Sequence, residues 1–321
     1  MTDSPRTSDG MIGGSVASQR LGLWLGFTAY LLWGFFPLYW PLLEPAGSVE
    51  VLAHRICWSL LAVAALVAVT RRWSHLRAVV ADRRRLGYIA VGAVAVGMNW
   101  GMYIYGVNSN QVVETSLGYF INPLVTILLG VLVLGERLRP TQWFGLAIAF
   151  AAVVELTFDY GRLPWIALTL AFSFGTYGLM KKKADVGTTE GLALETVVLA
   201  PVALAYLLVV HAGGGGTFGH AGWLNVVLLV GTGVITAIPL LCFGAAATRV
   251  SMTTLGLLQY IAPIIQFGVG VLVFGEDMTT ARWVGFGLVW LALLVITAES
   301  LLFRRRAAAR QTPAEAQPEL V

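Results

Sequence analysis

Two charged side chains, Arg55 and Glu195, lie inside long apolar stretches of the sequence, each about two helical turns from where its stretch begins. A charge at the centre of a bilayer costs about 2.5–3.5 kcal/mol on insertion scales, so it should face a partner or an aqueous cavity. Arg55 could bind an anionic or carbonyl group, and Glu195 could bind a cation or carry a proton. The alternatives are snorkelling to the interface and a structural ion pair.

A third apolar stretch carries an amide and two aromatic residues that could line a cavity with Arg55. Asn99, Trp100 and Tyr103 lie within five residues, and Asn99 and Tyr103 share a helix face at i, i+4. Asn99 could instead join neighbouring helices, because amides hydrogen-bond across helices in lipid. The spacing Gly97-x-x-x-Gly101 favours such close packing.

Two further stretches each contain an internal proline, Pro123 and Pro263, with polar residues beside it. A proline in a membrane helix frees a backbone carbonyl that a polar group or water must satisfy. Two proline-broken helices at corresponding places in two halves predict a central binding site, with a polar-packed kink as the alternative. The candidate substrate-binding residues are therefore Arg55, Asn99, Trp100, Tyr103, Tyr119, Asn122, Glu195, Gln259 and Tyr260.

Other carboxylates lie at the predicted ends of apolar stretches. Glu114 is interpreted as a solvated carboxylate in the first turn of a helix, with a gate as the alternative. Glu136 and Glu276 each follow a glycine and are interpreted as loop charges where helices stop.

The composition indicates a helical membrane protein. The 321 residues are 57% hydrophobic and 12% charged, whereas soluble domains have about 25% charged residues. Long continuous apolar runs exclude the alternation of a membrane barrel. The net charge of +4 flanks these runs, which argues against a nucleic-acid partner. The sequence contains no metal-ligand spacing, phosphate-binding loop or serine-nucleophile motif, so we predict no catalytic residues, no metal, no cofactor and no enzyme activity.

We expect ten membrane-spanning helices, with a disordered tail at residues 1–20 and a polar tail at 304–321. Placing both termini in the cytoplasm puts 18 of the 21 lysines and arginines on the cytoplasmic side, as the positive-inside rule requires. The predicted spans are about 21–41, 49–70, 86–107, 113–134, 141–157, 163–180, 189–210, 222–246, 254–274 and 282–303.

The two halves of the chain are diverged copies of one unit. Residues 130–136 read GVLVLGE and residues 270–276 read GVLVFGE, and the same offset of 140 matches Arg55 to Glu195. Each half, 21–157 and 163–303, contains five predicted spans. Because five is odd, two copies must lie in opposite orientations, which is the inverted-topology repeat of many secondary transporters.

Several motifs resemble one family. They are LGYFINPL at 117–124, LGE at 134–136, His54-Arg55, Asn99-Trp100, AFSF at 171–174, and PLLCF with AAATR at 239–249. The chain thereby resembles, from about residue 21 to 303, the EamA-type transporters of the drug/metabolite transporter superfamily, and within it the bacterial RarD family. The resemblance implies a ten-helix inverted-repeat carrier in the bacterial inner membrane.

We therefore expect a secondary active transporter, a permease or exporter, that moves a small organic metabolite or drug-like solute by alternating access. Its expected partners are the small-molecule substrate, membrane lipids and, as a weaker hypothesis through Glu195, protons. The alternative is an intramembrane lipid-modifying enzyme. Such an enzyme needs a nucleophile, a metal or an acid/base pair near the interface, and Arg55 with Glu195 does not supply one.

Overall fold

A computed structural model describes residues 9–71, 73–135, 137–250 and 252–311, and this part of the chain is helical with no strand. The helices follow the apolar runs because a helix satisfies every backbone group within its own segment. They are α1 Asp9–Phe35, α2 Ser48–Val69, α3 Trp73–Val80, α4 Arg83–Asn108, α5 Val112–Leu134, α6 Pro140–Tyr160, α7 Trp165–Ala184, α8 Thr188–Ala212, α9 Trp223–Ala247, α10 Met252–Leu258, α11 Ile261–Leu272 and α12 Thr280–Gln311.

The chain is a multi-pass membrane protein. Within the described ranges, nine segments are long and apolar enough to cross a bilayer. The sixth predicted span corresponds to α7, which has 20 residues but ends in Lys181, Lys182 and Lys183. The all-helical membrane class is thus confirmed, while the count of ten spans stays a prediction.

The predicted N-terminal tail is partly wrong. Helix α1 begins at Asp9, so residues 9–20 are helical rather than disordered. At the other end α12 continues to Gln311, eight residues beyond the predicted end of the last span. Residues 1–8 and 312–321, and the loop residue Glu136, lie outside the described residues.

The two prolines do not break their helices as predicted. Helix α5 continues from Val112 to Leu134 with Pro123 inside it. In the second half the break lies at Gln259 and Tyr260, between α10 and α11, and Pro263 occupies the first turn of α11. A proline is tolerated there because the first backbone N–H groups of a helix have no intrahelical partner.

The residues group into two compact units. The first comprises residues 1–122 and 166–277, and the second comprises residues 123–165 and 278–321. In the first unit α2 packs against α8 and α9, and α1 packs against α9 and α11. In the second unit α6 packs against α12. These units differ from the two halves of the sequence, whose boundaries stay a prediction.

Close packing and ion pairs hold the second unit together. A side chain at Gly145 would meet Ile296, and one at Gly285 would meet Leu156, so α6 and α12 approach closely at glycines. Arg139 pairs with Glu299 at 2.8 Å, and Arg282 pairs with Asp159 at 2.8 Å. Every candidate binding residue lies in the first unit.

Candidate substrate-binding site

The guanidinium group of Arg55 is buried among aromatic rings. Arg55 is the eighth residue of α2 and is 3% exposed. Its Cζ lies 4.3 Å from the ring centroid of Trp100, 5.2 Å from that of Trp40 and 5.8 Å from that of Phe36. A desolvated cation–π contact contributes about 2 kcal/mol, so three rings offset much of what burying the charge costs.

Hydrogen bonding leaves Arg55 partly unsatisfied. Its Nε donates to Oγ1 of Thr236 on α9 at 2.9 Å, while its buried Nη1 has no hydrogen-bond partner in the described part of the chain. No carboxylate pairs with it within the same residues, and it is the only buried lysine or arginine among them. Arg55 is therefore a buried cation that retains unused hydrogen-bond donors.

Asn99 joins three helices beside Arg55. Its Nδ2 donates to the backbone oxygen of Leu170 at 3.0 Å and to Oγ of Ser173 at 3.2 Å, both on α7. Its Oδ1 accepts from the hydroxyl of Tyr119 on α5 at 3.2 Å. Asn99 is thus engaged within the protein, and it holds the Tyr119 ring in place.

Tyr103 lies one turn beyond Asn99 on α4. Its ring packs edge-on against Tyr119, with centroids 5.6 Å apart. Both tyrosines lie within electrostatic range of Arg55. The Tyr103 hydroxyl is buried and has no hydrogen-bond partner among the described residues. Five of the nine predicted site residues, Arg55, Asn99, Trp100, Tyr103 and Tyr119, therefore lie together, and we call them the Arg55 cluster.

Glu195 lies in a separate cluster with its own partners. Its Oε1 pairs with Nζ of Lys181 at 2.9 Å, and its Oε2 accepts from the hydroxyl of Tyr177 at 3.1 Å. Glu195 is 1% exposed, whereas the Lys181 side chain is 28% exposed. We call these three residues the Glu195 cluster. In the described residues Arg55 and Glu195 do not pair with each other, and the cation that pairs with Glu195 is Lys181.

A row of aromatic rings connects the two clusters. Tyr119 packs edge-on against Phe174 at 6.2 Å, and Phe174 contacts Tyr177 at 5.8 Å. Tyr177 then donates to Glu195. An open, largely apolar groove of about 750 Å³ lies between α4 and α7, and Ser173, which hydrogen-bonds to Asn99, forms part of its wall.

The remaining candidates are on α5 and in the turn between α10 and α11. Asn122 is buried in α5, three residues after Tyr119. Gln259 and Tyr260 are half-buried in the turn between α10 and α11. In the described chain no side-chain hydrogen bond brings Gln259 to the Arg55 cluster.

Two carboxylates bind helix N-termini. The solvated position predicted for Glu114 is wrong, whereas Glu276 lies in the loop after α11 as predicted and has this further role. Glu114 is 2% exposed and accepts from the backbone N–H of Ile166 at 3.0 Å, at the start of α7. Glu276 accepts from the backbone N–H groups of Val112 and Val113, at the start of α5. Unpaired N–H groups at a helix N-terminus attract a carboxylate, so both residues connect helices instead of facing solvent.

Five contributors to these clusters were not identified from the sequence, and one of them is Tyr177, which donates to Glu195. Phe36 and Trp40 lie in short 3-10 turns after α1, and Thr236 lies in an apolar run with Thr232 one turn earlier. That i, i+4 pair of threonines was a usable signal. Lys181 was interpreted only as a basic flank, and nothing in its spacing identifies Glu195 as its partner.

The profile of the EamA-like transporter family matches residues 20–158 and, a second time, residues 163–298. Together these matches cover most of the chain. The chain belongs to the EamA-like transporter family. The double match agrees with the duplication predicted from the offset of 140.

Relatives in this family cover nearly the whole chain. A protein of Streptomyces exfoliatus named Protein RarD is 54% identical over 91% of this chain and 93% of its own length. Protein RarD of Escherichia coli K12 is 39% identical over 89% of this chain and 97% of its own length. The resemblance to RarD proteins is therefore confirmed.

A solved structure shares the fold of this chain. It is titled only as the crystal structure of a protein, and it superimposes with a TM-score of 0.55 at 20% identity, covering 85% of this chain and 96% of its own. At that identity the likeness shows the fold alone.

Proposed function

We propose that this member of the EamA-like family is a secondary active transporter that moves a small organic metabolite or drug-like solute across the bacterial inner membrane, in the export direction. The observation that carries the proposal is Arg55, a buried cation within a membrane-spanning helix with a donor left unused. Intramembrane charges in such proteins face a substrate pathway or a partner. Since no carboxylate serves Arg55 among the described residues, a substrate pathway is the better explanation.

The transport cycle would be alternating access between two inverted five-helix repeats. Two matches of one family profile support a duplicated unit, and the odd number of predicted spans in each half supports opposite orientation. The basic residues support cytoplasmic positions for both termini. The substrate would bind at the Arg55 cluster, with Asn122, Gln259 and Tyr260 contributing as the two repeats move.

Glu195 has two possible roles within the proposed carrier. In the first it cycles a proton that drives transport. In the second its pair with Lys181 holds α7 against α8 and must open during the cycle. Transport by Glu195→Gln, measured with and without a pH gradient, separates them. Flux that keeps its dependence on the gradient would exclude Glu195 as the coupling residue.

Proteoliposomes test the carrier proposal directly. Vesicles with wild-type protein would be loaded with a mixture of amino acids, nucleosides, organic acids and amphenicols, and mass spectrometry would follow loss of each solute. We expect at least one solute to leave these vesicles faster than it leaves loaded vesicles that lack the protein. The Arg55→Gln variant should lose this flux, while Arg249→Gln, which alters an exposed arginine, should keep it. Formation of a lipid product without solute flux would instead support the lipid-modifying enzyme.

A further inference from the structure

Resting on the proposed carrier function, we infer that the substrate is a small organic monocarboxylate with an apolar or aromatic body, and that its carboxylate is the counter-ion of Arg55. The juxtaposition that carries this inference is a buried guanidinium with a free donor, surrounded by aromatic rings and lacking an acidic neighbour among the described residues.

Charge balance around Arg55 indicates the sign of the ligand's charge. The buried carboxylates near α2 are already engaged, because Glu195 pairs with Lys181, and Glu50 accepts from the backbone and hydroxyl of Thr217. Arg55 keeps a full positive charge without a matching anion in the described chain. A cationic ligand would add repulsion in a low-dielectric site, and a neutral one would leave the charge uncompensated.

The number of charges favours a monoanion. One guanidinium balances one carboxylate, whereas a phosphate dianion would leave a net negative charge buried in the membrane. The planar guanidinium also matches the two oxygens of a carboxylate, and such paired hydrogen bonds are among the strongest in proteins. The buried Tyr103 hydroxyl, which has no partner among the described residues, is a further donor near Arg55.

The surroundings favour an apolar body on the ligand. Phe36, Trp40 and Trp100 lie around the guanidinium, and Tyr103, Tyr119 and Phe174 continue the aromatic surface away from it. Asn99 is engaged by Leu170, Ser173 and Tyr119, so it offers little to a polar ligand. The cluster therefore combines one strong anion contact with an extended apolar wall.

Thermal shift with matched probes tests the inference. Wild-type protein in detergent would be melted with acetate, benzoate, phenylacetate and indole-3-acetate, and in parallel with the four corresponding amides, at constant ionic strength. A ligand that binds the folded state raises the apparent Tm by mass action. We expect an aromatic carboxylate to raise Tm while its amide does not, and acetate to have the weakest effect of the four acids.

Variants locate the effect at Arg55. In Arg55→Gln the affinity for the carboxylate should fall at least about tenfold, as loss of a hydrogen bond to a charged group predicts. Arg55→Lys should keep part of the Tm shift, because lysine keeps the positive charge but lacks the planar guanidinium that can bind both carboxylate oxygens. Arg249→Gln should keep all of it. A carboxylate shift that is absent, equalled by the amide, or unchanged in Arg55→Gln overturns the inference.

Flux measurements separate this inference from the carrier proposal. Wild-type proteoliposomes that transport a neutral solute, with the same rate in Arg55→Gln, would refute the carboxylate while leaving a carrier. Proteoliposomes that transport nothing from the mixture would refute the carrier itself. Transport of an aromatic carboxylate that is lost in Arg55→Gln supports both.

Discussion

Arg55 and Glu195 occupy the same place in two related helices, yet the protein treats their charges in opposite ways. Each is the eighth residue of its helix, α2 and α8, and each aligns with the other at the offset of 140. Glu195 has a cation at 2.9 Å and a tyrosine hydroxyl at 3.1 Å. Arg55 has one threonine hydroxyl and three aromatic rings, and no anion among the described residues.

This difference indicates that the two halves of the sequence have diverged in role, although the two charged residues keep the same position in their helices. Where a buried charge has a complete set of protein partners, its removal should affect stability first. Where a buried charge lacks its counter-ion, its removal should affect ligand binding first and leave stability intact. The same depth in the helix makes the two residues controls for each other.

The largest expected effect is the loss of transport in Arg55→Gln. A hydrogen bond to a charged group contributes about 1.5–3 kcal/mol, so transport at low substrate should fall by between about tenfold and a hundredfold. Initial flux in proteoliposomes, at equal protein incorporation, measures it. Arg249→Gln serves as the matched control, and a wild-type rate in Arg55→Gln would remove the distinction between the two clusters.

Glu195→Gln should mainly lower stability. Breaking a buried pair costs about 3–5 kcal/mol, and water reaching the half-buried Lys181 reduces this to about 1–3 kcal/mol. The apparent Tm in detergent should fall. The exchange of both charges, Lys181→Glu with Glu195→Lys, should recover part of the loss. If the double variant is less stable than either single one, the ion pair does not account for the effect.

Phe174 should couple the Arg55 cluster to the Glu195 cluster energetically, because its ring contacts both Tyr119 and Tyr177. We expect Phe174→Ala to reduce transport about threefold to tenfold. Its effect should be non-additive with that of Glu195→Gln, because Tyr177 contacts both residues. Phe150→Ala, which alters an exposed ring on α6 in the second unit, is the control. Additive effects of Phe174→Ala and Glu195→Gln on transport would mean that the clusters act independently.

The smallest effects come from deleting one hydroxyl in each cluster. Thr236→Val removes the hydrogen bond to Arg55 Nε, and Tyr177→Phe removes the one to Glu195. We expect the first to weaken substrate binding by about twofold to threefold with little change in Tm, and the second to lower stability by about 1 kcal/mol with little change in binding. Tm and substrate affinity measured on both variants test this. The reverse assignment would contradict the comparison.

The helices were predictable from the sequence because apolar runs of membrane-spanning length leave few alternatives. The predicted span 49–70 became Ser48–Val69, for example. The break at Gln259 was misplaced at Pro263, since a proline in the first turn of a helix fits without breaking it. Local composition does not distinguish a proline that breaks a helix from one that starts it.

The candidate site was predictable only in part. The sequence allowed Arg55 to be grouped with Asn99, Tyr103 and Tyr119, because polar residues in membrane helices usually face the protein interior and pair there. The partner of Glu195 could not be predicted, because Lys181 lies at the end of α7 and reaches Glu195 only through the way α7 and α8 pack. The solvated position expected for Glu114 failed for the same reason, since its partner Ile166 is 52 residues away.

The most direct test of the account is the apparent Tm of Arg55→Met and Glu195→Gln, measured side by side without ligand. Removing one member of a buried ion pair is destabilising because it leaves the other charge buried and uncompensated. Arg55→Met leaves no such charge behind, because Arg55 has no anionic partner among the described residues. We predict that Arg55→Met melts at or above the wild-type temperature and that Glu195→Gln melts below it. An Arg55→Met variant that melts as low as Glu195→Gln would mean that Arg55 is a structural residue, and would contradict the account.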